Sequence, residues 1–136
     1  MTKKILSVFL AVLMVFGCAV TAFAAPEKHT LRFSEDGKFK IIHITDIQDD
    51  YPMSPVAKQF IKEILRNYQP DLVVLGGDNT VSAKEDKEAS IKEICDIFVE
   101  SGTYFTQVFG NHDAQQGYDR EELFPMYVKY GGEYFL

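Results

Sequence analysis

Leu72-Val73-Val74-Leu75-Gly76-Gly77-Asp78-Asn79 is the stretch that decides the fold of this 136-residue chain. Four consecutive apolar residues predict a short strand buried on both faces, the habit of a parallel sheet. Two glycines then free the backbone, and a carboxylate and a carboxamide follow at once. The same order, apolar run then polar cluster, recurs on either side. Upstream, a strand expected over Lys38–Thr45 is apolar at Ile41, Ile42 and Ile44 and gives way to Asp46-Ile47-Gln48, the start of a polar loop that runs to Met53. Downstream, a strand expected over Thr103–Phe109 ends in Gly110-Asn111-His112-Asp113.

The segments between these strands read as helices. Ser54-Pro55 combines a capping hydroxyl with a proline at the first helical position. Val56, Phe60, Ile61, Ile64, Leu65 and Tyr68 then recur at helical spacing as one apolar face, and Pro70 ends the run. In the next segment Ser82 and Glu85 have capping-box spacing, and Lys84–Glu88 reads as a solvated face. Ile91, Ile94, Cys95, Phe98 and Val99 form a second apolar stripe, with Cys95 a small core residue, and Gly102 suits the stop. A third helix is expected within Asp119–Tyr130, its start obscured by Pro125 and its end set by Gly131-Gly132. Tyr134-Phe135-Leu136 opens a further strand, and Leu31–Phe33 forms one ahead of Lys38–Thr45 through a Glu35-Asp36-Gly37 turn. Alternating strands and helices define an α/β fold with a parallel sheet and right-handed crossovers.

In open parallel sheets, ligands bind outside the carboxyl ends of the strands. Neighbouring strands lie about 4.8 Å apart, so Asp46, Asp78 and Asn111 can converge if their strands are adjacent. Two carboxylates and an amide oxygen held together repel one another and lose hydration unless a cation joins them. Metal binding is the economical explanation. Other polar residues have plainer readings: His43 a structural or surface role, Asp49 and Asp50 loop solvation, Asp71 turn chemistry, Asn79 a turn or the edge of a site. Asp113 either orients His112 or faces solvent.

Asp46-x-Gln48, Gly77-Asp78-Asn79 and Gly110-Asn111-His112-Asp113 together resemble the calcineurin-like metallophosphoesterases, whose opening motifs run D-x-H, G-D-x-x and G-N-H-[DE]. The resemblance covers Lys38 to about Asp113 and includes strand–helix order as well as motif spacing. It implies a metallophosphoesterase fold of which residues 25–136 hold the N-terminal half. It also implies hydrolysis of phosphate esters at a centre of two divalent ions (Mn, Fe, Zn or Mg). Asp46 would bind the first metal with Gln48 beside it, Asp78 would bridge both, and Asn111 would bind the second. His112 would be the catalytic residue beside the phosphate, with Asp113 behind it. Gln48 stands where the family has histidine, and its harder oxygen favours Mn²⁺-like or Mg²⁺-like ions over Zn²⁺. The family's later G-H-x-H motif has no counterpart, since the only histidines are His29, His43 and His112. A second reading, from a different class, is an inactive truncated fragment or non-catalytic binding remnant of the same fold. No G-x-G-x-x-G or G-x-x-x-x-G-K motif points to dinucleotide or P-loop chemistry.

Lys3 and Lys4, an apolar run over Ile5–Phe16 and Ala22-Phe23-Ala24 have the layout of a cleavable export signal covering residues 1–24. A retained anchor or lipidation at Cys18 are the alternatives. Cleavage removes two lysines and takes the formal charge from −6 to −8. The mature chain then has no membrane span and no clustered basic surface for nucleic acid. A phosphorylated small molecule or another phosphoester is the expected partner, in a secreted or cell-envelope setting. N-terminal mass spectrometry of the exported protein should find Ala25, or a residue within one or two of it, at the start. An intact Met1 or a lipidated Cys18 would overturn the cleavage site.

Overall fold

Three strands pair in parallel to make one sheet, in the order β1 (Ile41–Ile44), β2 (Leu72–Leu75), β3 (Phe105–Gln107). The computed structural model describes residues 30–136, so the expected export signal over residues 1–24 and Cys18 lie outside the described residues. Ile41 pairs with Leu72 and Ile44 with Leu75, while Val73 pairs with Phe105 and Leu75 with Gln107. The carboxyl ends of all three strands therefore finish side by side. Helices α1 (Pro55–Tyr68) and α2 (Lys87–Ser101) connect the strands, and α3 (Arg120–Gly131) follows β3. A 3-10 turn, Gly132–Tyr134, then returns Phe135 to a parallel bridge with Phe105. This is the expected α/β alternation, and no helix among the described residues is long and apolar enough to cross a membrane.

The core forms on one face of the sheet. Val73, Leu75 and Phe105 are fully buried against Ile61 and Leu65 of α1, the stripe of α2, and Leu123 and Tyr127 of α3. Phe98 and Phe105 stack with ring centres 4.7 Å apart, and Phe135 lies against Phe105 at 5.4 Å. Cys95 is fully buried in this cluster, and loss of hydration pushes its thiol up to about 12.

Several expectations need correction. Residues 31–33 form no strand. The turn at Glu35–Gly37 exists, closed by the Ser34 N–H donating to the Lys38 carbonyl, but no ladder continues beyond it. β1 is shorter than Lys38–Thr45 and lies at the sheet edge, which leaves Ile41 56% exposed. On the sheet face shared with Ile41, Leu72 and Val74 are only half-buried, so β2 is fully covered on one face. The apolar face of α1 is wider than the surface it packs on. Ile61 and Leu65 are buried, whereas Val56, Phe60 and Tyr68 remain exposed. The Ser54 hydroxyl makes no capping bond. Asp49 anchors that end of the helix instead, its Oδ2 accepting from Ser54 N–H at 2.7 Å, so Asp49 is not a solvated loop residue.

The proposed Ser82–Glu85 box does not form, because Ser82 is buried against Thr80 and α2 begins at Lys87 behind Asp86. Lys87 is not on a solvated face but fully buried. A true capping box is made at α3, where Asp119 and Glu122 exchange side-chain and backbone bonds, and Pro125 is accommodated inside that helix.

Phe105→Ala should lower unfolding free energy by about 3–5 kcal/mol, the usual cost of emptying a buried aromatic site. Phe60→Ala, on the exposed part of α1, should change it by about 0.5 kcal/mol or less. Urea unfolding of both variants measures the difference, and equal costs would contradict this assignment of the core.

Candidate functional site

The three polar clusters meet at the carboxyl edge of the sheet. Backbone bonds tie the first two loops together, with Asp46 N–H donating to the Gly77 carbonyl at 3.1 Å and Gln48 N–H to the Asp78 carbonyl at 3.0 Å. Beyond the loop, a parallel bridge between Asp49 and Thr80 continues the pairing. The third loop is tied to the second through Asp78, whose Oδ1 accepts from His112 N–H at 2.8 Å. Asp78 Oδ2 accepts from Gln48 Nε2 at 3.2 Å, so this carboxylate touches groups from both other loops. Asp46 is exposed, and its Oδ2 accepts from the Thr45 hydroxyl at 2.7 Å. Asn111 is exposed on the third loop, next to His112.

Backbone conformation singles out the same residues. Among the described residues, five non-glycines have positive φ, and three of them are Asp46 (+56°), Gln48 (+42°) and Asp78 (+51°). Such conformations are costly for residues with a Cβ and concentrate at functional sites. Gly77 has φ +101°, and a Cβ there would lie 2.7 Å from the Gly110 nitrogen. The second and third loops thus approach backbone to backbone, a contact only glycine permits.

Asp113 does something the sequence reading did not anticipate. It neither orients the imidazole nor faces solvent. It is 1% exposed, and its carboxylate accepts from Asp78 N–H and Gly110 N–H at 2.8 Å through Oδ2. Through Oδ1 it accepts from Asn79 N–H at 2.8 Å and Thr80 N–H at 3.3 Å. The His112 ring instead meets Gln115, Nδ1 to Oε1 at 3.1 Å. Asn79 is fully buried, with Nδ2 donating to the Val108 carbonyl, so it is a loop-packing residue. His43 is exposed on β1, with its ring against Gly76 at the start of the second loop. Lys87, missed as a contributor, lies beneath the second loop with Nζ donating to the Thr80 carbonyl at 3.4 Å.

Available donors decide what such a site could hold. Two carboxylates and two carboxamides are hard oxygen ligands, suited to Mg²⁺ or Mn²⁺ more than to softer ions. Among the described residues, no three His, Cys, Asp or Glu side chains are grouped as a metal site. Among the described residues, only His43 and His112 carry an imidazole beside these oxygen donors.

Residues 39–136 match the family described as calcineurin-like phosphoesterase, and the chain belongs to that family. Its members are phosphoesterase hydrolases that usually bind divalent metals. Among curated proteins, it is 28% identical over 146 residues to "Probable inactive purple acid phosphatase 14" of Arabidopsis thaliana, covering 93% of this chain and 36% of that protein. It is 28% identical over 110 residues to "Probable inactive purple acid phosphatase 28" of the same plant, covering 68% and 28% respectively. The chain therefore spans about a third of the length of these relatives. No solved structure matches it significantly.

Gly77→Ala should destabilise the protein by about 2–4 kcal/mol, combining positive-φ strain with backbone contact. Gly37→Ala, at φ +77° with nothing within 4 Å of the new Cβ, should cost about 1 kcal/mol. Chemical denaturation of the pair tests whether the close approach of the two loops, rather than φ alone, sets the cost.

Proposed function

We propose that this protein is a metal-dependent phosphoesterase that hydrolyses phosphate mono- or diesters in an extracytoplasmic setting. Asp46, Gln48, Asp78 and Asn111 are its cation ligands. The observation that carries this reading is Asp78, a carboxylate at positive φ that touches both neighbouring loops at the carboxyl edge of a parallel sheet. Divalent cations at such a centre neutralise phosphoryl charge and lower the pKa of water, so no nucleophilic serine or cysteine is required. The chain's own part is to fix the donors and supply a proton. His112 Nδ1 lies 3.1 Å from Gln115 Oε1, a contact that steadies the ring, and the imidazolium form would carry on Nε2 the proton for the departing oxygen. A two-ion centre needs further donors beyond these, and the G-N-H loop would carry the second ion through Asn111.

One observation favours a second reading, cation binding without hydrolysis. Gln48 turns its NH₂ toward Asp78 Oδ2, a donor where a cation needs an acceptor. The relatives' printed names, with the words "probable inactive", point the same way.

Titration calorimetry with Mn²⁺ tests the centre. Asp78→Asn should weaken binding about tenfold or more, while Asp36→Asn, on the distant exposed turn, should leave it unchanged. Equal affinities would remove Asp78 from the centre. Assays with p-nitrophenyl phosphate and its bis ester separate the two readings: Mn²⁺ binding with no turnover of either selects the non-hydrolytic one. Where turnover is present, His112→Ala should slow it about 10²-fold and leave Mn²⁺ affinity as it was.

A further inference from the structure

We propose that Lys87 is a positioning residue for the candidate ligand loops, its buried ammonium serving as the counter-charge that keeps the Asp113 carboxylate clamped on the backbone of Asp78, Asn79, Thr80 and Gly110. Lysine is almost never fully buried unless an opposite charge accompanies it. Lys87 is fully buried, and it opens α2, where the helix dipole disfavours a cation. Something must offset both costs. Burial is the stronger effect and holds the ammonium below the usual lysine value, while the charges of Asp113 first and Asp50 second act against it.

Thr80 joins the two ends of the arrangement. Its carbonyl accepts from Lys87 Nζ, its N–H donates to Asp113 Oδ1, and its hydroxyl shares a 2.7 Å bond with Ser90 of α2. Asp113 in turn accepts from Asp78 and Gly110, one on each of the two loops that approach at Gly77. A carboxylate removed from water is stabilised by such charge-assisted bonds, but four neutral donors leave a net buried charge. Lys87 supplies the opposing charge across Thr80, which it reaches from α2, rather than in a direct ion pair with Asp113. The ammonium therefore acts through Asp113 and touches none of the candidate ligand side chains.

The cation-binding arm of the test rests on the proposed function, and a metal-free arm does not. Amide exchange of the full chain in EDTA, followed by NMR, is compared for wild type and Lys87→Met, which keeps the length of the stem and removes the charge. The expected result is a loss of protection of about tenfold or more at Asp78, Asn79, Thr80 and Gly110, with Val73–Leu75 and Phe98 unchanged. Mn²⁺ affinity should fall about tenfold in parallel, and adding Asp113→Asn to Lys87→Met should cost less than Asp113→Asn costs in the wild type. Uniform loss of protection across β2 and α2, unchanged protection at the four amides, or fully additive effects would overturn the proposal. If Lys87→Met does not fold, Lys87→Gln takes its place with the same expected and overturning results. A wild type that binds no Mn²⁺ removes the metal reading, and amide exchange still decides the role of Lys87.

Discussion

A carboxylate with no access to water must find its hydrogen-bond donors inside the protein, and Asp113 finds them on the backbones of two loops. Asp78, Asn79 and Thr80 follow β2, and Gly110 follows β3, so one side chain fixes where both strands deliver their polar residues. Asp78 answers in the other direction by accepting from His112 N–H. Each loop thus holds the other through a side chain of its own. The close approach at Gly77 and the positive φ of Asp78 are tolerated because these bonds leave the chain little choice.

The strands and helices were legible because each carries a run of apolar residues at its own period, bounded by Gly, Pro or a polar cluster. What failed did so for physical reasons. Leu31–Phe33 has the composition of a strand but no continuing ladder to join. The face of α1 was read as one surface because periodicity gives the width of an apolar stripe and says nothing about how much of it finds a partner. The meeting of the loops that carry Asp46, Gln48, Asp78, Asn111 and His112 could be read from three repeated polar clusters. The partners of Asp113 could not, since three of the four are backbone amides more than thirty residues upstream, and such bonds leave no trace in residue type. Lys87 left one trace that was overlooked. With Ile91, Ile94, Cys95 and Phe98 it falls at helical spacing on the buried stripe, and the charged neighbours Lys84 to Glu88 masked it.

Family membership fixes the scaffold and the class of chemistry it commonly hosts, while activity depends on particular side chains. Here the loops preserve the carboxylates, the Asn-His pair and the glycine between the loops, and they exchange an imidazole for the carboxamide of Gln48. As a proposed ligand Gln48 would harden the donor set, and its NH₂ donates to Asp78 Oδ2. The bonds of Asp113 to its four donors involve none of the candidate ligand side chains, so a change of ligand identity leaves them in place.

Cys95 adds a property unrelated to phosphoester chemistry. Thiol exchange and alkylation proceed through the thiolate, and this sulfur is both inaccessible and, with its pKa near 12, protonated. Folding therefore renders it inert in an oxidising environment, and it reacts only in molecules that have opened between α2 and the sheet. The rate at which a small electrophile labels it reports the opening of the core, so the protein carries its own clock for that motion.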